Sequence, residues 1–317
     1  MTKRMDVLSL SELAFLLIIS QKKGLSAKSV GFRLEFAHIL HMLPNAKELR
    51  LFYYCLRPLD LGTLDILRTI PAPVSLSLRS GMFAGPHQRL SANNLSMAAQ
   101  DPSPLWDLLS VWPTIEHLEV VAWEMPTDHI TKPPTGRWAP YEVRWLDESD
   151  SAEGVLPRLL RPGSLRILQF MKTPEAPFFE ELMRTHGPYL RSLRLKALTD
   201  DVAQSVKDCT VLEEFKYLQI PSPALLKSLP LTVEHLSFQN VPKTKPITHV
   251  IEWIDCHAPR LRVVTYNACG SPTEQDFHYL VSVCRARGIE LQCFADTPPT
   301  REVSMAGGII RVGETWN

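Results

Sequence analysis

The side chains best suited to metal chemistry gather near the C-terminal end, where Cys256-His257, Cys269, His278, Cys284 and Cys293 fall within forty residues. Thiolates and imidazoles are what zinc selects, yet these separations match none of the C-x(2–4)-C or H-x(3–5)-H ligand spacings. Each residue has a structural role instead: Cys284 continues the apolar stripe of a helix, Cys293 takes a strand leucine's place, and Cys269 sits at a turn. Neither a metal nor another cofactor is expected. Nucleophilic and phosphate chemistry lack an anchor too, because Gly-x-Ser-x-Gly, His-Glu-x-x-His, Gly-x-Gly-x-x-Gly and Walker phrases do not occur. The paired acids Asp200-Asp201 and Glu180-Glu181 fall at expected helix starts, where carboxylates complement the helix dipole.

What remains is a set of charged and polar residues spaced between leucines. It comprises Lys47, Glu48 and Arg50; Glu116, His117 and Glu119; Arg166 and Gln169; Arg191, Ser192 and Arg194; Glu213, Glu214 and Lys216; Glu234, His235 and Ser237; and Arg262 and Thr265. They are embedded in a phrase with apolar residues at positions one, four and six. The phrase reads Leu165-x-x-Leu168-x-Phe170, Leu190-x-x-Leu193-x-Leu195, Leu212-x-x-Phe215-x-Tyr217, Val233-x-x-Leu236-x-Phe238 and Leu261-x-x-Val264-x-Tyr266. The fourth positions are 25, 22, 21 and 28 residues apart, within the roughly 20–29 residue period of leucine-rich repeats. Upstream copies start at Ala46, Pro73 and Ile115, a shorter one is Leu291-Gln292-Cys293, and Val143-Arg144-Trp145 reads as a degraded unit. The 42-residue step from Leu76 to Leu118 holds either a unit near Leu95-Ser96-Met97 or one long loop.

On a strand, positions four and six share one face and positions three and five the other. Segments of helical spacing lie between the phrases: Phe178, Phe179, Leu182 and Met183; then Val202, Val206 and Cys209 behind a Thr199-Asp200 cap; then Phe277, Leu280, Val281 and Cys284 behind Thr273. A strand–loop–helix–turn unit this small buries its leucines only by stacking on neighbours. The fold class expected is therefore α/β: a leucine-rich-repeat solenoid of about eight to ten irregular units, a curved horseshoe with parallel strands on the concave face and helices outside. Residues 1–43 read as an N-terminal helical cap (helices at 5–22 and 26–43), 44–294 as the repeats and 295–317 as a flexible C-terminal tail. A proline- and tryptophan-rich interruption at 124–164 reads as a protruding loop that offers Trp138 and Trp145 as aromatic anchors for a partner; packing of the two rings over the solenoid is the equal alternative.

Bulk composition agrees with this reading. Leucine accounts for 45 of 317 residues, and 34 Lys+Arg balance 34 Asp+Glu. That balance lacks the cationic surplus of a dedicated nucleic-acid binder. The apolar run at 14–19 is too short to span a membrane. Six scattered cysteines without a CxxC pair suit a reduced compartment, cytoplasmic or nuclear.

The repeat phrases, above all Trp112-Pro-Thr-Ile-Glu-His-Leu-Glu-Val120 and Pro188-Tyr-Leu-Arg-Ser-Leu-Arg-Leu195, resemble the repeat portion of F-box/LRR proteins, particularly the expanded sets of mushroom-forming fungi. The resemblance covers about residues 44–294. It implies repeats that select a target protein, and an N-terminal F-box that docks on the adaptor of a cullin-type ubiquitin ligase. Leu10-Ser11-Glu12-Leu13 departs from the Leu-Pro-x-Glu phrase that opens an F-box, which leaves a repeat-only relative, or one whose F-box has diverged or is missing from this chain.

The function expected is a non-catalytic protein–protein interaction module, a substrate-receptor relative without its F-box. Its unidentified protein partner would meet Arg166, Gln169, Arg191, Arg194, Glu213, Glu214, Lys216, Glu234, His235 and Arg262 on the concave face, and Trp138 and Trp145 beside it. A solvated face of mutually paired charges is the competing description. The alternatives from other classes are an enzyme with dispersed catalytic residues and RNA binding along the arginine stripe.

Overall fold

A computed structural model describes residues 48–53, 61–69, 72, 75–80, 109–121, 138–146, 153, 156–157, 160–172, 174–200, 202–240, 246–268 and 274–295. The expected helical cap, the C-terminal tail, Cys55, Cys269, Thr273 and Leu95–Met97 lie outside the described residues. The chain forms two compact units, residues 1–140 and 141–317.

In the first unit, β1 (Glu48–Tyr53), α1 (Leu61–Arg68), β2 (Ser75–Ser80) and β3 (His117–Val121) follow in order, and the strands pair in parallel with their neighbours in sequence. Register matches the fourth positions, Leu49 to Leu76 and Leu76 to Leu118. In the sheet β2 pairs directly with β3.

The second unit runs β4 (Glu142–Leu146), β5 (Ile167–Phe170), α2 (Ala176–His186), β6 (Ser192–Leu195), β7 (Glu214–Tyr217), α3 (Pro223–Ser228), β8 (His235–Asn240), α4 (Thr248–His257), β9 (Val263–Ala268), α5 (Glu274–Ala286) and β10 (Glu290–Ala295). Neighbouring strands pair in parallel throughout. The fourth positions Val143, Leu168, Leu193, Phe215, Leu236, Val264 and Leu291 stand in one register row. Alternation is visible in burial: Leu168, Phe170, Leu193, Leu195, Phe215, Tyr217, Leu236, Phe238, Val264 and Tyr266 are all buried. Leu165, Leu190, Leu212, Val233 and Leu261 at position one seal the bottom of the same core.

A repeated turn locks each unit to the one before. The carbonyl at position two accepts the N–H groups of both positions two and three of the next unit: Arg166 O from Arg191 and Ser192 (2.8 and 3.0 Å), Arg191 O from Glu213 and Glu214, Glu213 O from Glu234 and His235, and Glu234 O from Arg262 and Val263. Tyr141 O does the same for Arg166 and Ile167 at 2.9 and 3.1 Å. The sequence Tyr141–Trp145 is therefore a full repeat strand despite its missing leucines. Parallel strands, matched register and this turn make the chain an α/β leucine-rich-repeat solenoid.

The connecting layer is less regular than the spacing predicts. Val202–Asp208 is a 3-10 helix, not an α-helix, and Asp200 serves as acceptor for Ser222 Oγ at 2.5 Å. Glu180 and Glu181 sit in the middle of α2, whose first turn holds no acid; Glu181 instead pairs with Arg184 at 2.6 Å. Short α3 is closed at its start by Ser222, whose Oγ accepts the Leu225 N–H at 3.2 Å, with Pro223 at the first helical position.

Candidate partner-binding face

The second unit's strand face opposite the core carries positions three and five of each repeat. In register order, position five reads Arg144, Gln169, Arg194, Lys216, Ser237, Thr265, Gln292, and position three reads Glu142, Ile167, Ser192, Glu214, His235, Val263, Glu290. Every residue in the position-five row is polar, and adjacent members sit one strand spacing apart, about 4.8 Å.

Glu214 is the hub of this face. Its carboxylate accepts from Ser192 Oγ at 2.5 Å, Arg194 Nη2 at 3.2 Å, Lys216 Nζ at 2.9 Å and His235 Nδ1 at 3.1 Å. Burial alone would raise its pKa, but the hydrogen bonds from His235, Ser192 and Lys216 and the Lys216 charge outweigh that cost and hold it far below the usual carboxylate range. Lys216 moves downward because burial outweighs its attraction to Glu214, with Arg194 and Arg144 adding like-charge repulsion. The network continues from His235 Nε2 to Thr265 Oγ1 at 2.8 Å and from Gln292 Nε2 to Glu290 Oε1 at 2.9 Å. At its other end Arg144 Nε donates to Glu142 Oε1 at 2.5 Å.

The remaining expected site residues form a column at position two, where the chain turns into each strand. Arg191 lies 3.6 Å from Glu213, and Arg262 lies 3.7 Å from Glu234, all four well exposed. Arg166 donates to the Gly163 and Leu165 carbonyls at 2.7 and 3.1 Å and lies over the Tyr189 ring, 5.6 Å from its centroid. Gln169 is half-buried between Arg144 and Arg194 in the position-five row. The arginine and glutamate blocks are thus paired across neighbouring strands.

Trp138 and Trp145 depart from the expected role as partner anchors. They are only 2% and 1% exposed. Trp138 Nε1 donates to Ile115 O at 2.7 Å within the first unit, and Trp145 fills position six of β4, the core place that Phe170, Tyr217, Phe238 and Tyr266 fill in other units.

Sequence reasoning missed the exposed apolar residues beside the position-two column: Tyr141, Tyr189, Val211 and Leu231, between 42% and 65% exposed. A signal existed in the doublets Tyr189-Leu190 and Val211-Leu212. Only the second member of each can enter the core at position one. Among the described residues no three His, Cys, Asp or Glu side chains converge to hold a metal, and no helix is long and apolar enough to cross a membrane. Cys209 is buried with Sγ 3.6 Å from Met183 Sδ, and burial pushes its thiol up to about 12.

No known family model and no curated protein matches the chain. Among solved structures, the leucine-rich repeat-containing protein LegL7 from Legionella pneumophila is similar, with 12% identity, 77% of this chain and 73% of that chain covered, and a TM-score of 0.44. The fold assignment rests on the register and the recurring turn.

Proposed function

We propose that the chain is a non-catalytic protein-binding module whose second unit meets its partner on the polar strand face. The observation that supports this is the row of seven register-matched position-five side chains, Arg144 to Gln292, all of them polar and all but the buried Thr265 reached by solvent. A preorganised row of donors and acceptors favours recognition of a macromolecular surface by charge and register. Arg194, Glu214, Lys216 and His235 brace one another, so the face is rigid before binding and loses little side-chain entropy on association.

The finer reading is a substrate receptor of the F-box/LRR type. It rests on the family resemblance of the repeat phrases and assigns the cullin-ligase adaptor as a second partner. Affinity capture with mass spectrometry tests both levels. Bulky substitutions on the open face, Gln169→Arg with Ser237→Arg, are expected to abolish recovery of a partner that the unaltered chain retains. Undiminished recovery would remove the strand face from the account. A capture that brings down no ligase adaptor would end the receptor reading while leaving the module intact.

A further inference from the structure

Large apolar side chains exposed to solvent are few among the described residues: Tyr141, Tyr189, Val211, Leu218, Leu231 and Tyr279. Four of the six occupy one narrow strip. Tyr141 sits at position two of the β4 repeat, Tyr189 and Val211 each one residue ahead of position one of the β6 and β7 repeats, and Leu231 two residues ahead of position one of the β8 repeat. All therefore lie on the rim where the chain turns into the strands. In the β5 repeat the place is taken by the Arg166 guanidinium, which lies over the Tyr189 ring. That ring in turn backs on Gly163, where an added Cβ would meet it at 3.5 Å and where φ is +84°. The tyrosine is thus held in place from two sides.

Alongside this strip runs the position-two column, in the order Arg166, Arg191, Glu213, Glu234, Arg262. From β5 to β8 its charge changes sign once, between β6 and β7, positive toward Tyr141 and negative toward Leu231; Arg262 at β9, beyond the strip, restores the positive sign. Exposed aromatics with arginines beside them are the side chains from which binding hot spots are built.

We infer that this rim is a docking surface for an amphipathic α-helix of a partner protein, a proposal that rests on the protein-binding reading but uses a surface separate from the strand face. Geometry selects a helix over an extended segment. Successive repeats bring one rim residue every 4.7–4.9 Å or so, close to the roughly 5.4 Å that separates successive turns of an α-helix. Same-face residues of an extended chain recur only about every 6.8 Å and fall out of step after two repeats. From β4 to β8 is four strand steps, about 19 Å, which a helix of about 13 residues spans. Charge sets its direction. Acidic residues opposite Arg166 and Arg191 and basic residues opposite Glu213 and Glu234 place the acidic end of the helix over β5 and β6, and acids stabilise the N-terminal turn of a helix. The helix therefore runs from β5 toward β8.

The test is selection from a displayed library of helix-forming peptides, randomised on one face, against the full chain. Enriched clones are expected to carry apolar residues at i, i+4, i+7 and i+11, acids in the first half and Lys or Arg in the second. Binding is expected to fall by about ten-fold or more in Val211→Glu with Leu231→Glu, and to stay within about two-fold in the strand-face variant Gln169→Arg with Ser237→Arg, both variants checked for native circular dichroism. A selection with no amphipathic consensus would overturn the inference, as would undiminished binding to the rim variant. Clones sensitive only to the strand-face variant would overturn the rim while preserving the module; rim binding as expected beside a failed strand-face capture would do the reverse. Self-association of the chain that Leu231→Glu dissolves would assign the rim to a second copy and also overturn the helix.

Discussion

Glu214 is one carboxylate serving four donors, and its removal leaves Arg194 and Lys216 side by side without their shared counter-charge. Glu214→Gln is expected to destabilise the second unit by on the order of 3 kcal/mol at neutral pH, as loss of one partner of a largely buried pair does. The pH dependence has a definite sign. Glu214 is held below its ordinary value in the folded state, so its stabilisation is fully present above the unfolded pKa near 4.3 and disappears as pH falls from there through the lower folded value. Denaturant melts of both proteins should show a gap that is constant from about pH 6 to 8 and closes below about pH 4; a gap that widens on acidification would contradict the hub assignment. Thiol reactivity makes a second contrast. Cys209 is buried with its thiol pushed up to about 12, whereas Cys256 is exposed. Alkylation at pH 8 followed by peptide mapping should label Cys256 in the native chain and Cys209 only after unfolding. The core leucines were legible from sequence because each phrase keeps apolar residues at positions one, four and six although the spacing between phrases varies. The hub was not, since Ser192, Arg194, Glu214 and His235 come from three strands and meet only once the register is known.

Between strands, the elements obey spacing more than propensity. Gly187, which opens the 3-10 turn after α2, lies against the Asp208 backbone: a Cβ there would meet its carbonyl carbon at 3.1 Å and its oxygen at 3.2 Å. Its φ of −50° is ordinary, so the constraint is close approach of two turns and not backbone conformation. Gly187→Ala should cost about 1–3 kcal/mol by overpacking, measurable as a lowered urea midpoint, while Gly288→Ala meets nothing within 4 Å and is penalised only through its φ of +67°. Apolar residues at helical spacing predicted an α-helix over Val202–Cys209, whereas Val202–Asp208 forms a 3-10 helix that still buries Val202, Ala203 and Val206. For Trp138 and Trp145 the sequence left two readings, partner anchors or packed rings, and both rings are buried: Val143-Arg144-Trp145 keeps the alternation of a strand, and that alternation outweighs the proline-rich composition around it.

At the scale of the molecule, repeat stacking makes stability a sum of neighbour interfaces. Phe215 is fully buried at position four of β7, in register with Leu193 and Leu236. Phe215→Ala should cost about 3–5 kcal/mol and raise amide exchange most in β6, β7 and β8, with β10 least affected; uniform loss of protection across the second unit would argue for a single cooperative globule. The central claim is that the second unit's strands form one ordered ladder. Spin labels at Arg144, Gln169 and Ser237, each paired with one at Gln292, test it most directly, because these residues lie six, five and two strand steps from β10 along the position-five row. At about 4.8 Å per step the account predicts backbone separations near 29, 24 and 10 Å, decreasing in that order. Distances that do not fall with the number of intervening strands would contradict it.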